Sequence, residues 1–255
     1  MKFCLFTIAL VLGLKNLAFA QECVPSWFEK LPEVEGIRLA VGYSGKFTNE
    51  AGAKSAAIQL AHKNMTKQIS IRLQFDIEEL ADGRIRLLNP SFKEFYEGSI
   101  LNAVESNSSV IDSTITVEGY FVLLAFPAIE YLPIPNACDK PWNTRPDWIE
   151  NLPQEDGYVY GIGIVARYRN WVRAWQDADE YARFDLGKNL QVNTESIHAI
   201  QRNNRTTIES VILKQTYDLT INDATIVARW LDTANGVYYS LCRAPRPWGA
   251  LGTGH

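Results

Sequence analysis

The sequence predicts an α+β fold made of two tandem repeats, each an antiparallel sheet packed by one long Ala-rich helix and a shorter helix. Three observations carry that prediction: a Pro-Trp landmark occurs twice, a run of regularly spaced alanines follows each landmark, and each half closes on an extended aromatic run that ends at proline. The composition is that of a folded chain. With 47% hydrophobic and 21% charged residues, and only 16 Gly and 11 Pro in 255 residues, disordered and collagen-like classes are excluded. The length admits one large domain or two small ones.

The internal repeat decides between them, because a missed repeat misassigns the whole fold. Pro25-Ser26-Trp27-Phe28-Glu29-Lys30-Leu31-Pro32 recurs as Pro146-Asp147-Trp148-Ile149-Glu150-Asn151-Leu152-Pro153, an offset of 121 that also relates Gly36 to Gly157, Gly42 to Gly163, Ala53 to Ala174, Ala57 to Ala178 and Ala61 to Ala182. The closing runs, Tyr120–Pro127 and Tyr238–Pro245, correspond at an offset of 118. The sequence therefore divides into a first module over 21–127, a Pro-rich linker over 128–145, a second module over 146–245 and a flexible tail over 246–255.

Within each module the elements follow from periodicity. Ile37–Tyr43 and Gly157–Val165 are β-branched and aromatic runs suited to strands. Ala53, Ala57, Ala61, Met65 and Ile69 recur at helical steps, as do Trp171, Ala174, Trp175, Ala178, Ala182, Leu186 and Leu190; each set is one apolar stripe. Small alanines let such a helix lie close against a sheet. Ile69, Ile71, Leu73, Phe75 and Ile77 alternate with polar residues, as a half-buried strand does. Thr207–Gln215 reads as a second helix, with Phe92–Glu105 its less regular counterpart. The second module ends in a hairpin of 224–231 and 237–243 around an Asn235-Gly236 turn, shortened in the first to a turn at Glu118-Gly119.

The first twenty residues read as a signal peptide. Lys2 precedes an apolar run from Phe3 to Leu14, and Ala18 and Ala20 form a cleavage site before Gln21. That run is too short for the about 20 residues a membrane helix needs, and no later stretch is long and apolar enough, so no transmembrane span is expected after cleavage. Loss of Lys2 and Lys15 takes the net charge of −4 to −6. The expected location is periplasmic or secreted. Lipid anchoring at Cys23 is not expected, because Ala20-Gln21-Glu22 before it does not fit a lipobox. A pI near 5.5 without a Lys/Arg block argues against nucleic acid as a partner.

The Pro-x-Trp start, the Gly-x-Gly strand, the Ala-rich helix, and Ala-Thr-Ile-Val-Ala-Arg-Trp-Leu-Asp with Asn-Gly-Val-Tyr-Tyr-Ser-Leu over 224–241 resemble the LPP20-like bacterial envelope lipoprotein domain. That domain is similar in fold to the N-terminal module of a flagellar periplasmic ring protein. The resemblance covers most of 146–245, but in the first, divergent module only 25–70 and the final strand. It implies a non-enzymatic envelope module and carries no catalytic set. It also places the segment before the second module near the final strand, which makes Cys138 and Cys242 candidates for a disulfide. Such a loop of about a hundred residues would contribute on the order of 4 kcal/mol. Cys23 paired with Cys138 is the competing choice.

No catalytic residues, metal ligands or cofactors are assigned. Gly42–Phe47 lacks the first glycine and the final Ser/Thr of a phosphate loop, having Ala40 and Phe47 instead, and Ser44 does not stand in a nucleophile elbow. Gly161-Ile162-Gly163 is half a dinucleotide fingerprint, better explained as room for the helix. His62 on the first helix, His198 in or beside a strand, and terminal His255 are too far apart for a metal site. Asp177, Asp179, Glu180 and Asp185 fall among Arg173, Arg183 and Lys188 and read as a solvated face. Trp171 and Trp175 are either core or an exposed platform for a sugar or partner. The expected function is an exported, non-enzymatic component of the cell envelope that acts in interaction or assembly, with an envelope protein or a second copy as partner. The alternative is a periplasmic carrier that holds a small or carbohydrate ligand between the modules; the binding residues are not identified by sequence.

Overall fold

The period-two and helical segments become ten strands and four helices in the computed structural model, which describes residues 24–46, 49–79, 85–87, 92–134, 142, 144–166, 170–199 and 213–246. In the first half these are α1 (Ser26–Glu29), β1 (Arg38–Gly45), α2 (Glu50–Ile69), β2 (Ser70–Glu79), β3 (Ile85–Leu87), β4 (Lys93–Phe95), α3 (Gly98–Asn107), β5 (Ser109–Ile115) and β6 (Gly119–Phe126). A 3-10 turn at Asp147–Ile149 leads into β7 (Tyr158–Ala166), α4 (Trp171–Ala199), β8 (Leu213–Asn222), β9 (Thr225–Asp232) and β10 (Val237–Pro245). The fold is α+β with antiparallel sheets, as expected. The segment 1–20, Cys4, Cys23, Cys138, His255 and the tail beyond Arg246 lie outside the described residues.

Three sheets form. The first has the order β1-β6-β5 and the second β7-β10-β9. In the third, β2 pairs with β3 and β4 along one edge and with β8 along the other. Helix α2 starts where the Asn49 side chain accepts a hydrogen bond from the Ala51 amide at 3.0 Å, and stops where Ser70 turns extended. Its Ala53, Ala57, Ala61 and Met65 are buried against Ala40, Val122 and Leu124 of the first sheet. Helix α4 starts at Asn170, whose side chain accepts from the Arg173 amide.

Two glycines set the helix–sheet distance. A Cβ on Gly42 would run into the Ala57 carbonyl and the Ala61 amide; a Cβ on Gly163 would run into the Ala178 carbonyl and the Ala182 amide. Gly161 meets α4 in the same way, at Ala182 and Leu186. The motifs that suggest nucleotide binding are therefore the floors on which the helices lie. At the other end of the second sheet, Gly236 takes φ +66 in the β9–β10 turn, where the Asn-Gly pair predicts it.

The first sheet is covered on both faces. Leu39, Val41, Tyr43, Phe121, Leu123 and Ala125 point away from α2, into a cluster with Trp27 and Phe28 of α1 and Ala174, Trp175 and Ala178 of α4. This explains why β6 is an unbroken apolar run. The layers run α2, first sheet, α1 with α4, second sheet. The β2–β8 ribbon, paired from Ser70↔Asn222 to Glu79↔Leu213, closes one end: Ile71, Leu73, Phe75, Tyr217 and Ile221 bury against Phe184, Leu186 and Leu190 of α4.

Several expectations need correcting. Residues 213–215, assigned to a helix over Thr207–Gln215, begin β8, because the strand gains ten paired positions with β2; residues 207–212 lie outside the described residues. Phe92–Glu105 splits into β4, which pairs with β2, and α3. His198 belongs to α4 rather than to a strand. Within 128–145, Ile129, Leu132, Ile134 and Trp142 pack on the core around Phe28.

Candidate functional site

The charged face expected on α4 is not uniformly solvated. Residues 171, 175, 179 and 183 follow one another at i, i+4, so they form a single stripe, and it meets residues of both halves of the chain. Trp171 stacks on Tyr43 and Phe121, with ring centroids 5.9 and 5.6 Å apart. Trp175 meets Phe28, Trp142 and Tyr238. The two tryptophans are core, and the exposed-platform reading of them falls.

Asp179 is 2% exposed and collects hydrogen bonds from three other elements. Arg229 of β9 donates from Nε at 3.0 Å and from a terminal nitrogen at 2.8 Å, Ser240 of β10 from its hydroxyl at 2.7 Å, and Tyr43 of β1 at 3.4 Å. Arg229 also donates to the Phe28 carbonyl and lies 4.8 Å over the Phe28 ring. Burial, and then the Asp179 charge, push the Tyr43 phenol well above its ordinary pKa, so it stays a donor.

Arg183 is likewise buried and donates to Glu94 of β4 at 2.6 and 3.2 Å; Lys67 of α2 holds the same carboxylate from the other side. Burial works to raise the Glu94 carboxyl, but Arg183 and Lys67 outweigh it and hold it below its usual value. By contrast, Asp177 pairs with Arg173 at 2.8 Å across a helical turn. Asp185 accepts from the Ile162 amide and pairs with Lys188. Glu180 is half-buried, and burial with the nearby Glu94 charge raises its pKa. These carboxylates do not converge on one cleft. Cys242 is a free, fully buried thiol, its pKa raised by burial; its candidate partner Cys138 lies outside the described residues.

What the two halves do build together is a cleft of about 630 Å³. Its first wall comes from the end of α1: Leu31 donates its amide to the Val227 carbonyl at 2.9 Å and Lys30 bridges Ala228, which attaches the start of the first half to the edge of β9. The second wall is Trp142, Thr144, Pro146 and Trp148, and the floor is Tyr160, Trp230 and Leu241 on the face of the second sheet that α4 does not cover. Arg243 stands at the rim, paired with Glu33 at 2.8 Å and lying 4.5 Å over the Tyr158 ring. Glu29, Lys30 and Glu33 complete the polar edge. The Trp230 indole N–H is buried and has no acceptor among the described residues.

Sequence reasoning used Trp148 and Trp230 only as landmarks and left Trp142 in the linker. The available signal was the crowding of tryptophans and prolines over 142–153. Among the described residues no three His, Cys, Asp or Glu side chains gather as metal ligands, and no helix is long and apolar enough to cross a membrane. Comparison with known proteins adds no identity to this geometry: no family model, curated protein or solved structure matches the chain.

Proposed function

We propose that this protein is a non-enzymatic, exported component of the cell envelope that works by binding, and that its two halves are tandem copies of one LPP20-like unit. The observation that carries the binding reading is the aromatic cleft walled by residues of both halves, which the buried Glu94–Arg183 ion pair joins.

Support for the duplication is positional. Gly42 with Ala57 and Ala61, and Gly163 with Ala178 and Ala182, make the same helix–sheet contact at the offset of 121. The copies then diverge on the stripe next to the alanines, about 100° around the helix. Where α4 carries Trp171, Trp175, Asp179 and Arg183 into contacts with both halves, α2 carries Glu50, Lys54, Ile58 and His62, of which Glu50 and Lys54 are exposed. One copy became the interface and the other kept a solvent face. That asymmetry lets the pair stack once without propagating into a filament.

The test has two parts. The full chain, expressed in a bacterial host, is recovered from the periplasm with Gln21 as its first residue, and crosslinked envelopes yield a partner lost on Trp148→Ala. Retention in the cytoplasm with an intact leader removes the envelope reading, and capture indifferent to the cleft removes the binding reading.

A further inference from the structure

We propose that the open face of the second sheet docks an amphipathic helix of a partner protein, one that presents large apolar side chains at i, i+4 and i+8. The inference rests on the binding reading above and names the partner class. The first sheet shows what such a face holds. Its order is β1-β6-β5, as that of the second is β7-β10-β9, and each sheet meets its own helix through a glycine, Gly42 on α2 and Gly163 on α4. Neighbouring residues along a strand point to opposite faces. Beside Gly42, therefore, Tyr43 and its cross-strand partner Phe121 face away from α2; beside Gly163, Ile164 and its partner Tyr239 face away from α4. Val41 with Leu123 and Ile162 with Leu241 are the next matching pairs. In the first sheet Tyr43 and Phe121 are 1% and 0% exposed, and Trp171 of α4 stacks on both rings. In the second sheet Ile164 is 53% exposed, and Ile162 and Tyr239 are half-buried.

The occupant's chemistry follows from the same comparison. Trp175, one turn after Trp171, meets Phe28 of α1, whose counterpart at the offset of 121 is the half-buried Ile149 of the 3-10 turn. Asp179, one turn further, accepts from the Tyr43 hydroxyl, and Ile164 has no hydroxyl to give. Arg229 and Ser240, which complete the Asp179 site, point to the α4 side of the second sheet. A carboxylate at the third position of a docked helix would therefore be buried without a donor, so the fitting helix is apolar there too. Trp230 follows Arg229 and points to the open face, where its ring lies 5.4 Å from that of Tyr239 and widens the apolar floor. A second copy of this chain does not bring such a helix. The α2 positions that correspond to Trp171, Trp175 and Asp179 are Glu50, Lys54 and Ile58, and covering the exposed Glu50 and Lys54 on an apolar face would desolvate two charges.

The probe is a synthetic peptide that copies Asn170–Leu186 with Asp179→Leu, stapled on its polar face so that it is helical in isolation. Calorimetric titration into the mature chain is expected to show saturable binding, weakened at least about tenfold by Trp171→Ala in the probe or by Ile164→Asp in the chain. Ile164→Leu, which keeps the apolar contact, retains binding, and circular dichroism melting shows both chain variants folded. No saturation, or binding indifferent to Ile164→Asp and to Trp171→Ala, overturns the helix assignment. If partner capture from crosslinked envelopes is then still lost on Trp148→Ala, the binding reading stands; if capture is also indifferent to Trp148→Ala, both fall. A mature chain that sediments as a dimer and becomes monomeric on Ile164→Asp has a second copy on this face, which equally overturns the assignment.

Discussion

The carboxylate of Asp179 in α4 accepts two hydrogen bonds from the guanidinium of Arg229 in β9, at 2.8 and 3.0 Å, with both side chains about 2–3% exposed. Such a pair is worth little relative to apolar residues, because desolvating both charges offsets their attraction, but breaking it from one side strands a buried charge. Asp179→Ala is therefore expected to cost about 3–5 kcal/mol, while Asp179→Leu combined with Arg229→Met costs much less than the single change. Urea denaturation midpoints of the two variants measure the difference. Equal losses would mean that Arg229 finds another partner.

Glu94 joins β4 to both long helices through Lys67 and Arg183. Its pKa is lowered in the folded protein, so it contributes stability that is present above the ordinary carboxylate value of 4.5 and is lost as pH falls through the lower folded value. Urea midpoints followed downward from neutral pH should drop over that window. Glu94→Gln should lower the neutral-pH midpoint and flatten the acid limb.

Gly163→Ala forces a Cβ into the α4 backbone at Ala178 and Ala182, atoms that no side-chain rotation can move. The expected cost is at least about 1–3 kcal/mol, read as a fall in melting temperature. Gly52→Ala, in α2 with open space around the new methyl, should instead stabilise by about 0.5–1 kcal/mol. A Gly163→Ala protein that melts like the parent would contradict the close packing of helix on sheet.

Cys242 lies with Ala182 and Leu186 under α4, and burial keeps its thiol protonated. Iodoacetamide should leave it unmodified in the native protein and alkylate it in urea. Peptide mapping without reductant tests the pairing the resemblance implies: recovery of Cys242 as a free thiol counts against it, and a peptide that joins it to Cys138 bears it out.

The sequence by itself determined the elements whose burial is local. Alternation marked β2, extended runs marked the final strands, alanine spacing marked one stripe each of α2 and α4, and Asn-Gly marked the β9–β10 turn. Those patterns depend on one face meeting its own neighbour, and period alone reveals that face. Only the tertiary structure decided what covers a second face. On α4 the stripe through Trp171, Trp175, Asp179 and Arg183 merged in sequence with the alanine stripe at one end and with surface charge at the other. Its partners, Tyr43, Phe28, Arg229 and Glu94, are 50 or more residues away along the chain. A charge looks solvated until the opposite charge arrives, and a tryptophan looks like packing until a cleft forms beside it. Residues 213–215 paired as strand for the same reason: the partner, β2, belongs to the other half. The cleft is tertiary throughout, since its walls come from α1, the segment before β7, and the uncovered face of the second sheet, three stretches that meet only when the halves dock.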